Sequence, residues 1–91
     1  MPYYVYIIKS ERLGAYYKGF STDPVKRLIQ HNAGETKSTQ SGIPWKLVYA
    51  EECITKREAL LREKNLKKAT RERIESLLVH PKNILDRIST G

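Results

Sequence analysis

Two runs of β-branched and aromatic residues, 3 to 9 and 15 to 20, stand almost back to back at the N-terminus of this chain. The segment between them, Ser10-Glu11-Arg12-Leu13-Gly14, carries a turn signal, so the pair reads as an antiparallel hairpin. Everything downstream must pack against that hairpin. Asp23-Pro24 then opens a helix, because an aspartate oxygen can cap it and proline at the first helical position gives up an N–H that would be unpaired anyway. Gly34 suits a left-handed cap at its end. Residues 35 to 44 are polar with glycine and proline and read as a loop, and Trp45 to Cys53 reads as a third strand. Thr55 can cap a second helix to about Lys68 and Thr70 a third to about Val79, after which His80-Pro81 breaks the pattern.

The chain has 91 residues. A domain of this size buries only about 60 to 65% of the surface its unfolded chain exposes, so one thin layered core is expected. The expected division is a domain over 1–80 and a C-terminal tail over 81–91. A single cysteine, Cys53, excludes an internal disulfide framework and fits a reducing compartment. The start, Met-Pro-Tyr-Tyr-Val-Tyr, has no basic stretch ahead of an apolar one, and no apolar run approaches the ~20 residues that span a bilayer. A cytoplasmic location without a membrane partner is the expectation. Seventeen Lys and Arg against ten Asp and Glu give a formal charge of +7, whose field attracts polyanions before any specific contact forms. Nucleic acid is the leading partner class, against general solubility charge or ribosomal and membrane anions.

Spacing places side chains on the expected helices. In the first, Val25, Leu28, Ile29 and Asn32 fall on one side, while Arg27 and His31, four apart, stack along a neighbouring strip from which both can meet one phosphate. In the second, Ala59, Leu60 and Leu66 define an apolar stripe with Glu63 in its middle, whereas Glu58 points away. A carboxylate aimed at a core is costly unless paired or metal-bound, which singles out Glu63. Plainer readings exist for each residue. Tyr6 and Tyr17 serve equally as half-buried strand aromatics, His31 and Arg27 as surface groups, and Glu63 as the partner of Lys67 at i,i+4.

Taken in order, Tyr4-Val5-Tyr6, Tyr17-Lys18-Gly19, Arg27, His31 and Glu63 resemble the GIY-YIG nuclease domain, in its small stand-alone type related to the N-terminal incision domain of bacterial nucleotide excision repair. The segment Tyr17 to Gly34 is similar to the family's strand-to-helix passage, Trp45 to Glu52 to its third strand, and Glu58 to Lys68 to the helix bearing its metal glutamate. Tyr4 stands where the family has its first glycine. Asn83 and His80 both lie near the place of a late family asparagine.

The resemblance implies an α+β fold, a three-stranded antiparallel sheet flanked by helices in the order ββαβαα, and a metal-dependent endonuclease that hydrolyses phosphodiester bonds. Selection by structure rather than sequence follows, since there is no added DNA-reading domain, and DNA repair is the implied setting. Tyr6 or Tyr17 would be the general base or position water, Arg27 would stabilise phosphorane charge, and His31 would assist positioning or proton transfer. Glu63 would hold Mg²⁺ or Mn²⁺ with substrate oxygens. Lys26, Lys37, Lys46, Lys64, Lys67 and Lys68 would track the backbone of nucleic acid, DNA ahead of RNA, with no small-molecule cofactor. The five site residues should converge on one concave surface. Two other readings remain: a nucleic-acid-binding module of this fold without turnover, and a basic accessory protein that docks on an acidic partner.

Overall fold

The computed structural model describes residues 2 to 89. Its order is β1 (Tyr3–Ser10), β2 (Tyr16–Ser21), α1 (Pro24–Asn32), a 3-10 helix (Lys37–Gly42), β3 (Trp45–Cys53), α2 (Lys56–Lys67), α3 (Arg71–Leu78) and α4 (Leu85–Ser89). The strands form one antiparallel sheet in the order β2-β1-β3. Relative to the expected ββαβαα order, two elements are new. The segment read as a loop contains the 3-10 helix, and the segment read as a tail carries α4.

The local start signals are realised as hydrogen bonds. The Asp23 carboxylate accepts from Lys26 N at 3.1 Å with Pro24 at the first helical position, and the Thr55 and Thr70 hydroxyls accept from Glu58 N and Arg73 N. Gly34, at φ +78°, turns the chain out of α1. Glu58, on the outer side of α2, accepts from Ile54 N at 3.1 Å and completes a reciprocal cap.

β1 is the central strand and is covered on both faces, so Val5, Tyr6, Ile7 and Ile8 are all buried. Val5 and Ile7 face a cluster with Tyr49, Cys53, Ala59, Leu66, Ile74 and Leu77, which places α2 and α3 on that side. Tyr6 and Ile8 face Trp45 and Leu47, with Val25 and Leu28 of α1 and Leu85 and Ile88 of α4 packed against them. A register shift between Ile7 and Ile8 pairs them with Tyr49 and Leu47 and leaves Val48 as an extra residue in β3. The outer edge of β3 is closed by the C-terminal segment. Ile84 N donates to Ala50 O at 2.9 Å, and the Asn83 side chain bridges Val48 O and Ala50 N.

Two apolar assignments from spacing are corrected. Ile29 is 63% exposed and Leu60 43% exposed, so the buried faces of α1 and α2 are narrower than the sequence pattern suggested. On α2 only Ala59 and Leu66 are buried, and half-buried Arg62 is drawn inward instead, with Nε 3.1 Å from the Glu51 carboxylate that also accepts from the Tyr49 hydroxyl at 2.5 Å.

Candidate active site

Tyr6 on β1 sits directly opposite Gly19 on β2, and its ring lies across that glycine. A Cβ at position 19 would meet the Tyr6 hydroxyl at 2.6 Å and Cζ at 2.7 Å, closer than atoms approach. Pairing an aromatic with a glycine across two strands thus lets the phenol lie flat over the edge strand β2. Gly19→Ala is expected to cost about 1–3 kcal/mol by overpacking a buried ring, read as a lower denaturation midpoint. A midpoint equal to wild type would show that Tyr6 has room to move.

The Tyr6 hydroxyl lies 2.9 Å from His31 Nε2, and the Arg27 charge acts on it. On the other side of the imidazole, Nδ1 lies 2.8 Å from Thr39 Oγ1. Tyr17, half-buried and on the same sheet face as Tyr6, sets its ring edge against His31 with centroids 5.1 Å apart and against Trp45 at 6.4 Å. Arg27 is held on its own helix by Gln30 Oε1 at 2.7 Å and from the 3-10 segment by Thr36 Oγ1 at 3.3 Å. Tyr6, Tyr17 and His31 are therefore gathered by direct contact, and the Arg27 charge acts on both Tyr6 and His31.

The fifth expected residue comes from elsewhere. Glu63 stands on α2, whose buried Ala59 and Leu66 pack with Val5 and Ile7, while Tyr17 packs with Tyr6 and Ile8. Its side chain is 17% exposed, and its carboxylate is among the charges acting on the Tyr6 hydroxyl, after Arg27 and Tyr17. The i,i+4 pair with Lys67 exists, but at 3.9 Å it is a loose surface contact.

His31 is turned inward rather than along the strip shared with Arg27, and no part of it is exposed. Burial first, and the Arg27 charge second, pull its pKa from 6.5 down to about 4. The imidazole is therefore neutral at ordinary pH. Because the folded value is depressed, stability is complete above the unfolded value of 6.5 and is lost as pH falls toward 4, where the unfolded chain binds a proton that the folded one refuses. The loss attributable to His31 is about 3 kcal/mol. Denaturant titrations at pH 7.5 and 4.5 should show wild type losing more stability than His31→Gln; equal losses would contradict a buried neutral imidazole. Tyr6 is shifted the other way. Burial raises its pKa, with Arg27 opposing, so it remains a phenol at neutral pH.

The remaining expected residues are dispersed. Lys26, Lys37 and Lys46 are exposed on α1, the 3-10 helix and β3, and Lys64, Lys67 and Lys68 cluster at the C-terminal end of α2. Asn83 and His80 do not join the cluster. Asn83 is spent on main-chain bonds to Val48, Leu78, Ala50 and Leu85, and exposed His80 accepts from Lys82 N. The sequence reading missed Gln30, Thr36 and Thr39. Gln30 was visible as the i+3 neighbour of Arg27. The threonines, inside a polar run, gave no signal.

Residues 2–75 match the family described as the GIY-YIG catalytic domain. The chain belongs to the GIY-YIG family. Among its relatives is a UPF0213 protein of Streptococcus pneumoniae, 40% identical over 76 residues that cover 82% of this chain and 76% of the relative. A UPF0213 protein of Halobacterium salinarum is 37% identical over 76 residues, covering 82% and 97%. A UPF0213 protein of Bacillus halodurans, solved by solution NMR, superposes with a TM-score of 0.57 at 30% identity, covering 94% of this chain and 92% of that one. The GIY-YIG assignment implies nuclease chemistry on nucleic acid in general, of a kind that typically uses a divalent metal.

The donor set can be tested against such a metal. Among the described residues no group of three or more His, Cys, Asp or Glu side chains is placed to hold an ion. Glu63 is one hard carboxylate with restricted exposure. That fits Mg²⁺ or Mn²⁺ shared with substrate oxygens and water, since Mg²⁺ keeps several waters and needs few carboxylates; it does not fit a caged resident ion.

Proposed function

We propose that this GIY-YIG protein is a metal-dependent endonuclease that selects nucleic-acid structure rather than sequence, acts on DNA ahead of RNA, and belongs with the excision-repair incision domains. The observation that carries the reading is the clustering of Arg27, Tyr6, Tyr17 and His31, with the Glu63 charge acting on the same hydroxyl. A cytoplasmic setting is part of the proposal.

The chemistry follows from exposure. Tyr6 and His31 are buried and serve from behind, whereas half-buried Tyr17 and Arg27 can meet a substrate. The Tyr17 hydroxyl orients the attacking water. Arg27 uses N–H donors on Gln30 and Thr36, and its remaining donors face the scissile phosphate, where their attraction grows as charge develops on the non-bridging oxygens. A divalent ion held by Glu63 supplies Lewis acidity and charge neutralisation when bound.

A second reading, a binding module of this fold without turnover, is favoured by one observation: Asn83 is committed to the β3 edge, so the place of the late family asparagine is not filled from there. Labelled single-stranded, duplex, flap and branched DNA and RNA, incubated with the protein and Mg²⁺ or Mn²⁺, separate the two. Cuts at a structural junction support the nuclease; affinity without cuts supports the module. Neither affinity nor cuts would return the protein to the accessory class.

A further inference from the structure

The contacts behind Arg27 form a circuit that meets at Thr36. Arg27 Nη2 meets the Thr36 hydroxyl oxygen at 3.3 Å. Thr39 Oγ1 lies 3.1 Å from Thr36 O and 2.8 Å from His31 Nδ1, and His31 Nε2 meets the Tyr6 hydroxyl at 2.9 Å. Thr36, which caps the 3-10 helix, and Thr39 within it thus join Arg27 of α1 to Tyr6 of β1.

The circuit has one sense. Thr36 O is a backbone carbonyl that can only accept, so it takes the Thr39 proton. Thr39 Oγ1 then accepts from His31, which carries its proton on Nδ1. That leaves Nε2 bare, and it accepts the proton of the Tyr6 hydroxyl, on a residue only 1% exposed.

We infer that Thr36 and Thr39 are positioning residues for Arg27: the one-way circuit Tyr6 to His31 to Thr39 to Thr36 holds His31 as its Nδ1–H tautomer and fixes Thr36, which locks the guanidinium from behind. The inference rests on the reading of Arg27 as the phosphate-facing group. Neither threonine touches the substrate. Thr36 acts on Arg27 directly and Thr39 acts through Thr36. The depressed basicity of His31 fits this place, because an imidazolium would have two donors where the circuit needs one donor and one acceptor.

The test uses Thr39→Val, which keeps the shape and removes the hydroxyl, with Thr39→Ser as the conservative rescue and Thr36→Val as a cut at the other end. Long-range ¹H–¹⁵N spectra at neutral pH read the His31 tautomer, and Arg27 side-chain spectra read whether its Nη groups rotate slowly. Wild type and Thr39→Ser should show a bare Nε2, a protonated Nδ1 and slow Arg27 rotation. Thr39→Val should shift the proton to Nε2, and both valine variants should speed the rotation. On the best substrate, Thr39→Val should lower kcat about 10- to 100-fold, as displaced catalytic groups do, with KM within about twofold. A wild-type Nε2–H tautomer, or a Thr39→Val spectrum and kcat like wild type, would overturn the inference. Because the spectra need no substrate, they decide the circuit even if wild type cleaves nothing, an outcome that would instead overturn the proposed activity.

Discussion

Glu63→Ala is expected to reduce cleavage at least about 10³-fold while leaving nucleic-acid affinity equal or slightly higher. The reduction follows because a site that loses its ion loses several kcal/mol of transition-state stabilisation, and each 1.4 kcal/mol is about tenfold in rate. Affinity is spared because the same change removes a negative charge from a surface that meets a polyanion. The matched control is Glu58→Gln rather than Glu58→Ala. Glu58 caps α2 through Ile54 N, so truncation would weaken the helix that carries Glu63, whereas the amide keeps an acceptor there. The control should cleave within about twofold of wild type, as surface changes with little structural cost do. Comparable losses in the two variants would show that α2 matters as a scaffold and not through the Glu63 carboxylate.

Arg27→Ala is the second large effect. Removing a preorganised donor from a developing oxyanion costs about 10²- to 10³-fold in turnover, and the loss should exceed any loss of affinity. Single-turnover rates beside equilibrium binding of the same labelled substrate separate the two. Arg27→Lys should not restore the rate, because an ammonium cannot keep the contacts to Gln30 and Thr36 and still present a planar fork to phosphate. Equal losses in rate and binding would make Arg27 a ground-state contact only.

What was legible in the sequence was mostly local. Asp23-Pro24, Thr55 and Thr70 announce helix starts because capping involves residues a few positions apart, and all three cap as read. The hairpin and the third strand were equally plain from β-branched and aromatic runs bounded by turns. What escaped depends on distant partners. The burial of His31 is set by Tyr6 and Thr39, residues 25 and 8 positions away, and a polar residue on a helix gives no sign of which way it faces. The apolar look of Leu60 hid that Arg62 would take the inward position, since its charge is satisfied only by Glu51, on the strand beneath. Residues 81 to 91 held no period from which a helix or an edge cover could be read, because the role of Asn83 exists only once β3 has a bulge to bridge.

The same residues explain why the proposed catalytic set is spread so widely along the chain. β1 and β2 supply the tyrosines from a rigid pair in which Gly19 makes room for Tyr6, α1 supplies Arg27, and the 3-10 segment braces both. Such bracing leaves a cation in place before substrate arrives, which is the condition under which it favours the transition state over the ground state.

The account is tested most directly by the single-turnover rate of wild-type cleavage on a junction-containing DNA, measured from EDTA through a rising Mg²⁺ series with protein in excess. The account predicts no product in EDTA and a rate that climbs with Mg²⁺ to a plateau. A rate independent of the metal, or no product at any Mg²⁺ concentration from protein that binds the DNA, would contradict it.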